Sequence, residues 1–151
     1  MNKKFKFSLE GLRKLREFKE QKAKIELGLI NKEINKVNEN IDLLNEFISV
    51  GYQSQEEVLI DGAKGALLHF YPLYTEGLHA HIQRLKSDLE QLQLKQQAKI
   101  VELHGKMGEA KLINKLKDNE KEVHKKEFNK KMNQEREDLF IISNQTNIKK
   151  E

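Results

Sequence analysis

Three sets of residues could carry chemistry or recognition: five histidines, two basic blocks, and four aromatics grouped in the middle of the chain. The histidines are His69, His79, His81, His104 and His124. Only His79 and His81 are close in sequence, and two positions apart on a helix they point to different faces. No HExxH, EF-hand loop or cysteine cluster accompanies them, so no metal site is predicted; solvated histidines at the edge of a packing seam are expected. Gly105-Lys106-Met107-Gly108 is not a phosphate loop; it reads as a glycine pair tolerated inside a helix, with a bend. A Ser/His/Asp arrangement would need a concave pocket, which a pair of helices does not provide. The expectation is a protein without enzymatic activity and without a cofactor.

The basic blocks are more informative. Residues 1–24 have net charge +6 and residues 111–131 have +4, whereas residues 25–110 have −5 and residues 132–151 have −1. Such blocks can bind nucleic acid through phosphates. Acids interrupt both, however, and no aromatic stacking platform lies among them. A solvated coiled-coil face or a protein partner is the favoured reading, and no nucleic acid is expected. The central aromatics, Tyr52, Phe70, Tyr71 and Tyr74, have two readings. They cap a hairpin, or they form a docking surface, since all four cannot face one thin seam.

The elements that position these groups follow from the composition. Of 151 residues, 34% are charged and 37% hydrophobic, with one proline, no tryptophan and no cysteine. That suits long helices with a narrow apolar seam rather than a globule. The absence of cysteine excludes disulfides and thiolate metal sites. The basic opening lacks the apolar run of a secretory signal, and no stretch reaches the roughly 18 apolar residues of a membrane span. A soluble, cytoplasmic protein is expected.

Ser8 is placed to cap the first helix, with Phe7 and Leu12 at hydrophobic-staple spacing and Glu10 in the first turn. Apolar residues recur at Leu12, Leu15, Phe18, Ile25 and Leu29. A strict heptad then runs through Ile30, Ile34, Val37, Ile41, Leu44 and Ile48. Gly51 is a candidate helix stop. The stretch that follows holds Gly51, Gly62, Gly65, Gly77 and the only proline, Pro72. Ser54 and Glu57 form a capping box, predicting a short helix from about Gln55. Phe70, Tyr74, Leu78 and Ile82 keep helical spacing across Pro72, predicting a helix that kinks at the proline. A second seam runs through Leu78, Ile82, Leu85, Leu89, Leu92, Ile100, Leu103, Met107, Ala110 and Ile113, and Leu139-Phe140-Ile141-Ile142 stands apart beyond it.

Two seams joined by a short irregular piece make an antiparallel hairpin. The predicted fold is all-α: a long antiparallel two-helix coiled-coil hairpin with a kinked, aromatic-rich tip and a longer C-terminal helix. As one domain over residues 1–151, it has helix 1 at about 5–49, the tip at about 50–72, helix 2 at about 73–142 and a frayed tail at 143–151. The register pairs Ile48 with about Leu73 and Phe5 with about Leu116. The two basic blocks then meet at the open end.

The order of segments supports a family resemblance. Lys4, Phe5 and Phe7 lead to Leu12, Leu15, Arg16 and Glu20. Phe70, Tyr74, Leu78 and Ile82 follow, and then a Lys/Glu-rich helix. Across nearly the whole chain this resembles FliJ, the small soluble component of the bacterial flagellar type III export apparatus, which has YscO-type relatives in injectisomes. Pro72 and the tip glycines depart from the usual pattern.

The resemblance implies a coiled-coil stalk and general chaperone, similar in shape to the central stalk of rotary ATPases. It implies an open end that enters the hexameric export ATPase, with the ATPase regulator, an export gate membrane protein and export chaperones as further partners. It places the protein at the cytoplasmic face of the inner membrane, and a monomer is expected when it is alone. Arg13, Lys14, Arg16, Lys117, Lys121 and Lys125 are the candidates for the ring-facing end. Phe47, Tyr52, Phe70, Tyr71 and Tyr74 are the candidates for gate or partner docking near the tip. The alternatives are a generic scaffold coiled coil and a basic nucleic-acid-binding coiled coil.

Overall fold

The computed structural model describes residues 3–62 and 65–149. Two helices account for nearly all of them: α1, Glu10–Ile60, and α2, Gly65–Ile148. The chain divides into two compact units, one of residues 1–20 with 105–151 and the other of residues 21–104. In each unit a segment of α1 packs antiparallel against a segment of α2.

The unit of residues 21–104 holds the larger apolar core. Ile41, Leu44 and Ile48 of α1 pack with Ile82 of α2, and Val37, Leu78, Leu85 and Leu89 close around them. These are the heptad positions of both predicted seams, buried because only this stripe can leave water when two helices meet. The heptad extends backwards through Ile30, Leu27 and Ala23, which is only 2% exposed. Polar residues enter the interface beside it. Gln96 donates to Asn31 at 2.7 Å, and Lys99 bonds Glu26 and Glu102. Gln96–Asn31 and Lys99–Glu26 bridge the two helices at the solvent edge of the seam, where such pairs contribute little.

The turn lies later than the sequence suggests. Gly51 does not end α1; it is a buried helical residue that faces the Tyr74 ring. The left-handed residue is Gly62, with φ 75°, directly after a last turn in which Asp61 N–H donates to the Glu57 carbonyl at 3.1 Å. The capping-box residues Ser54 and Glu57 therefore lie inside α1 and start no helix of their own. α2 begins at Gly65 and passes through Pro72 without a break in assignment. Pro72 removes one backbone bond in the second turn of the helix, close to the start, where few helical bonds precede it. The contact of Gly51 with Tyr74 also shifts the register from the expected pairing of Ile48 with Leu73, and Leu73 is largely exposed.

The other unit joins residues 3–20 to the part of α2 beyond Gly105. Residues 3–7 are not helical, and α1 starts at Glu10 rather than near residue 5. Leu9, not Ser8, supplies the carbonyl for the first helical bond, from Arg13 N–H at 2.9 Å, and Glu10 N–H donates to the Phe7 carbonyl at 3.3 Å. The Phe7–Leu12 staple therefore does not form in its predicted frame. Phe7 is buried, as are Ala110 and Ile113 on α2, whereas Leu12 is exposed. Phe5 meets His124 instead of Leu116, with ring centroids 5.6 Å apart, in keeping with the later register that sets Glu10 against Lys117.

α2 does not fray at residue 143. Ser143 Oγ donates to the Phe140 carbonyl, and Thr146 Oγ1 donates to the carbonyls of Ile142 and Ser143. Mid-helix hydroxyls commonly bond the preceding turn in this way, and α2 runs on to Ile148.

Candidate functional site

The unit of residues 1–20 and 105–151 centres its electrostatics on Glu10. The Arg13 guanidinium grips the Glu10 carboxylate from Nε at 3.0 Å and Nη2 at 2.6 Å, and Lys117 reaches it across the helix pair at 3.1 Å. The hydrogen bond from Arg13, then that from Lys117, holds the Glu10 carboxyl down at about 2. Arg13 also pairs with Glu17 at 3.2 Å, and its own pKa is raised, chiefly by Glu10. Glu10 thus ties the start of α1 to α2.

The six basic candidates separate into two groups. Arg13 and Arg16 are half-buried on the side of α1 that faces α2, and the Arg16 guanidinium donates to the Glu109 carbonyl at 3.0 Å. Together with Lys117 they are spent on internal bonds. Lys14, Lys121 and Lys125 are exposed and make no ion pair among the described residues. The heptad explains the division. Arg13, Arg16 and Glu20 continue the spacing of Ala23, Leu27 and Ile30, so polar residues occupy seam positions here. Leu15 and Phe18, expected on the seam, are exposed beside it.

A groove of about 670 Å³ lies beside this cluster, lined by Lys4, Phe5, Lys6, Phe7, Glu10, Lys117 and Lys121. Lys4 and Lys6 are exposed above the two phenylalanines. Lys6 was not singled out in the sequence, and Lys4 entered only through the family resemblance. The signal was the alternation Lys-Phe-Lys-Phe over residues 4–7, where both lysines are exposed, Phe5 is half-buried and Phe7 is buried. The result is a cationic rim over an aromatic floor, suited to an acidic protein surface carrying apolar residues.

The unit of residues 21–104 carries the aromatic candidates. Phe70 stacks on Tyr74 at 5.9 Å and meets Tyr71 edge-on at 5.8 Å. Tyr74 lies over Gly51, with Cε1 3.6 Å from where a Cβ would stand, so its ring has a packing role. Phe70 is 56% exposed and Tyr71 half-buried. Tyr52 lies apart from these three, lining a shallow groove with Pro72, Thr75 and His79, and Phe47 is exposed without a ring contact. With Leu59, Ile60 and Leu73, this end presents several exposed apolar side chains.

Of the histidines, His124 is placed against Phe5 and the described residues contain no group of three or more potential metal ligands. No described helix is long and apolar enough to cross a membrane.

Comparison with known proteins gives one match. A sequence model of the family described as flagellar FliJ protein matches residues 5–138. No curated protein and no solved structure matches the chain.

Proposed function

Because the chain belongs to the FliJ family of flagellar export proteins, we propose that it works without catalysis, as a stalk and general chaperone of the export apparatus in flagellar assembly and motility. Its basic unit binds the export ATPase hexamer together with the ATPase regulator. The aromatic end of its other unit docks on the export gate membrane protein. Export chaperones and their flagellar subunits are the cargo it helps deliver. It acts in the cytoplasm, peripherally at the inner membrane.

The observation that carries this reading is the separation of charge at Glu10. Arg13, Arg16 and Lys117 hold the two helices together, while Lys14, Lys121 and Lys125, with Lys4 and Lys6, remain available to an acidic partner. Such unpaired surface charge raises association rate and fixes orientation. The apolar Phe70 and Tyr71 supply aromatic anchors of the kind that dominate protein interfaces.

The test is a triple charge reversal, Lys14→Glu, Lys121→Glu and Lys125→Glu, assayed for stimulation of the cognate export ATPase. Stimulation is expected to be lost while far-UV circular dichroism stays unchanged. Full stimulation by a folded triple variant overturns the assignment.

A further inference from the structure

Beyond His124, α2 continues for more than six turns with nothing packed on it: residues 131–149 are all exposed among the described residues. The α2 seam of Ala110, Ile113, Lys117, Glu120 and His124 would continue at Glu127, Lys131, Gln134 and Asp138, all polar, and a separate apolar stripe takes over beside it. Phe128, Met132, Glu135, Leu139 and Ile142 follow one another at steps of four and three, with Phe128 38%, Met132 36%, Leu139 66% and Ile142 57% exposed. A seam of this kind on a single helix is half of a coiled coil. α1 cannot supply the other half, because its start and the segment before it are already placed against Lys117 and His124.

The charge pattern identifies the occupant. Lys125, Lys126, Lys130 and Lys131, against Glu127 alone, make residues 125–131 basic; Glu135, Glu137 and Asp138, against Arg136, make residues 135–138 acidic. The sign inverts between Lys131 and Glu135, which is also the midpoint of residues 125–142. An antiparallel copy centred there sets Lys131 against Asp138 on both sides of the stripe. A parallel copy sets Lys131 against Arg136.

We propose that residues 125–142 pair antiparallel with the same residues of a second copy of this chain. Phe128 packs over Leu139 of the second copy, and Met132 over the methylenes of Glu135 of the second copy. Ile142 lies along the stem of Lys125 of the second copy. Lys131 and Asp138 flank the seam at the positions that meet in an antiparallel pair, forming two symmetric ion pairs. The interface is isologous, as two-fold dimers require. This reading goes beyond the monomer expected from the sequence, does not depend on the binding of the ATPase or the gate, and shares only Lys125 with the surface proposed for the ATPase.

Sedimentation of the full chain over a concentration series tests it. The wild type shifts from monomer to dimer as concentration rises. Lys131→Asp alone and Asp138→Lys alone each weaken dimerisation about tenfold, since two exposed ion pairs become two repulsions. The double exchange K131D/D138K restores it. The absence of native cysteine allows a direct test of orientation. Under mild oxidation, Phe128→Cys mixed with Leu139→Cys gives a disulfide-linked dimer, and neither variant links to itself. A wild-type monomer at about 1 mM, where even weak specific dimers assemble, overturns the proposal. So does self-linking of Phe128→Cys, or a double exchange no better than its single variants.

Discussion

Substituting Gly51 distinguishes two structures of the turn region by the sign of the effect. If α1 stopped at Gly51 in a left-handed conformation, Gly51→Ala would cost about 1–2 kcal/mol, the penalty of placing an L side chain there. In the structure Gly51 is inside α1, and its φ is not positive. Replacing glycine by alanine in a helix interior contributes about 0.8–1.0 kcal/mol. The added Cβ meets Tyr74 Cε1 at 3.6 Å and Cδ1 at 3.8 Å, ordinary van der Waals contact. Each such contact adds about 0.1–0.2 kcal/mol. The net expectation is stabilisation by about 1 kcal/mol, which raises Tm by about 2–4 °C for a chain of this size. Gly62→Ala is the internal control: at φ 75° it is expected to destabilise by about 1–2 kcal/mol. Thermal unfolding followed by circular dichroism reads both. A lowered Tm for Gly51→Ala, or a raised one for Gly62→Ala, refutes the placement of the turn.

Ile82→Ala empties the position opposite Ile41, Leu44 and Ile48, and is expected to cost about 2–4 kcal/mol by denaturant titration. Glu10 titrates near 2 in the folded chain against an ordinary 4.5, so its contribution is present above about pH 4.5 and is lost as pH falls towards 2. The Tm difference between wild type and Glu10→Gln should therefore close over that window; a gap that survives at pH 2 contradicts the Arg13–Glu10–Lys117 tie. Lys99, raised by Glu102 and then Glu26, has the opposite sign. Its contribution is present below its ordinary 10.5 and fades at higher pH, so Lys99→Met should flatten the alkaline limb of the stability profile. Phe70→Ala with Tyr71→Ala should weaken capture by the export gate protein with little change in Tm, whereas Tyr74→Ala should lower Tm through Gly51. Equal capture by the Phe70/Tyr71 variant returns those rings to a packing role.

The heptad from Ile30 to Ile48 and the seam from Leu78 to Ile113, except for Met107, which is exposed beside a half-buried Lys106, were legible in the sequence because apolar side chains at steps of three and four have one cheap arrangement, against each other. Before Ile30 the same logic selected the wrong stripe. Leu15, Phe18, Ile25 and Leu29 are the apolar residues there, yet the partnered face is Arg13, Arg16, Glu20, Ala23 and Leu27. Hydropathy could not show this, because the arginines earn their positions through hydrogen bonds to Glu10 and to the Glu109 carbonyl, far away in sequence. The turn was misplaced for a related reason. A glycine marks where a left-handed residue is allowed, and Gly51 and Gly62 allow it equally; only the fold shows Gly62 taking it, with φ 75°, and Gly51 staying helical against Tyr74.

By itself, the sequence determined an all-α chain of two long helices, a basic start that meets a second basic block, and an aromatic middle. Those properties reside in periodicity and net charge, which local spacing records. Only the tertiary structure decided which charges are free to act. Arg13, Arg16 and Lys117 carry the same unit charge as Lys14, Lys121 and Lys125. They differ because the first three meet acceptors on the facing helix or at Glu10 and the others meet water. A cation already satisfied by a neighbour stabilises the fold, and an unsatisfied one is available to a partner.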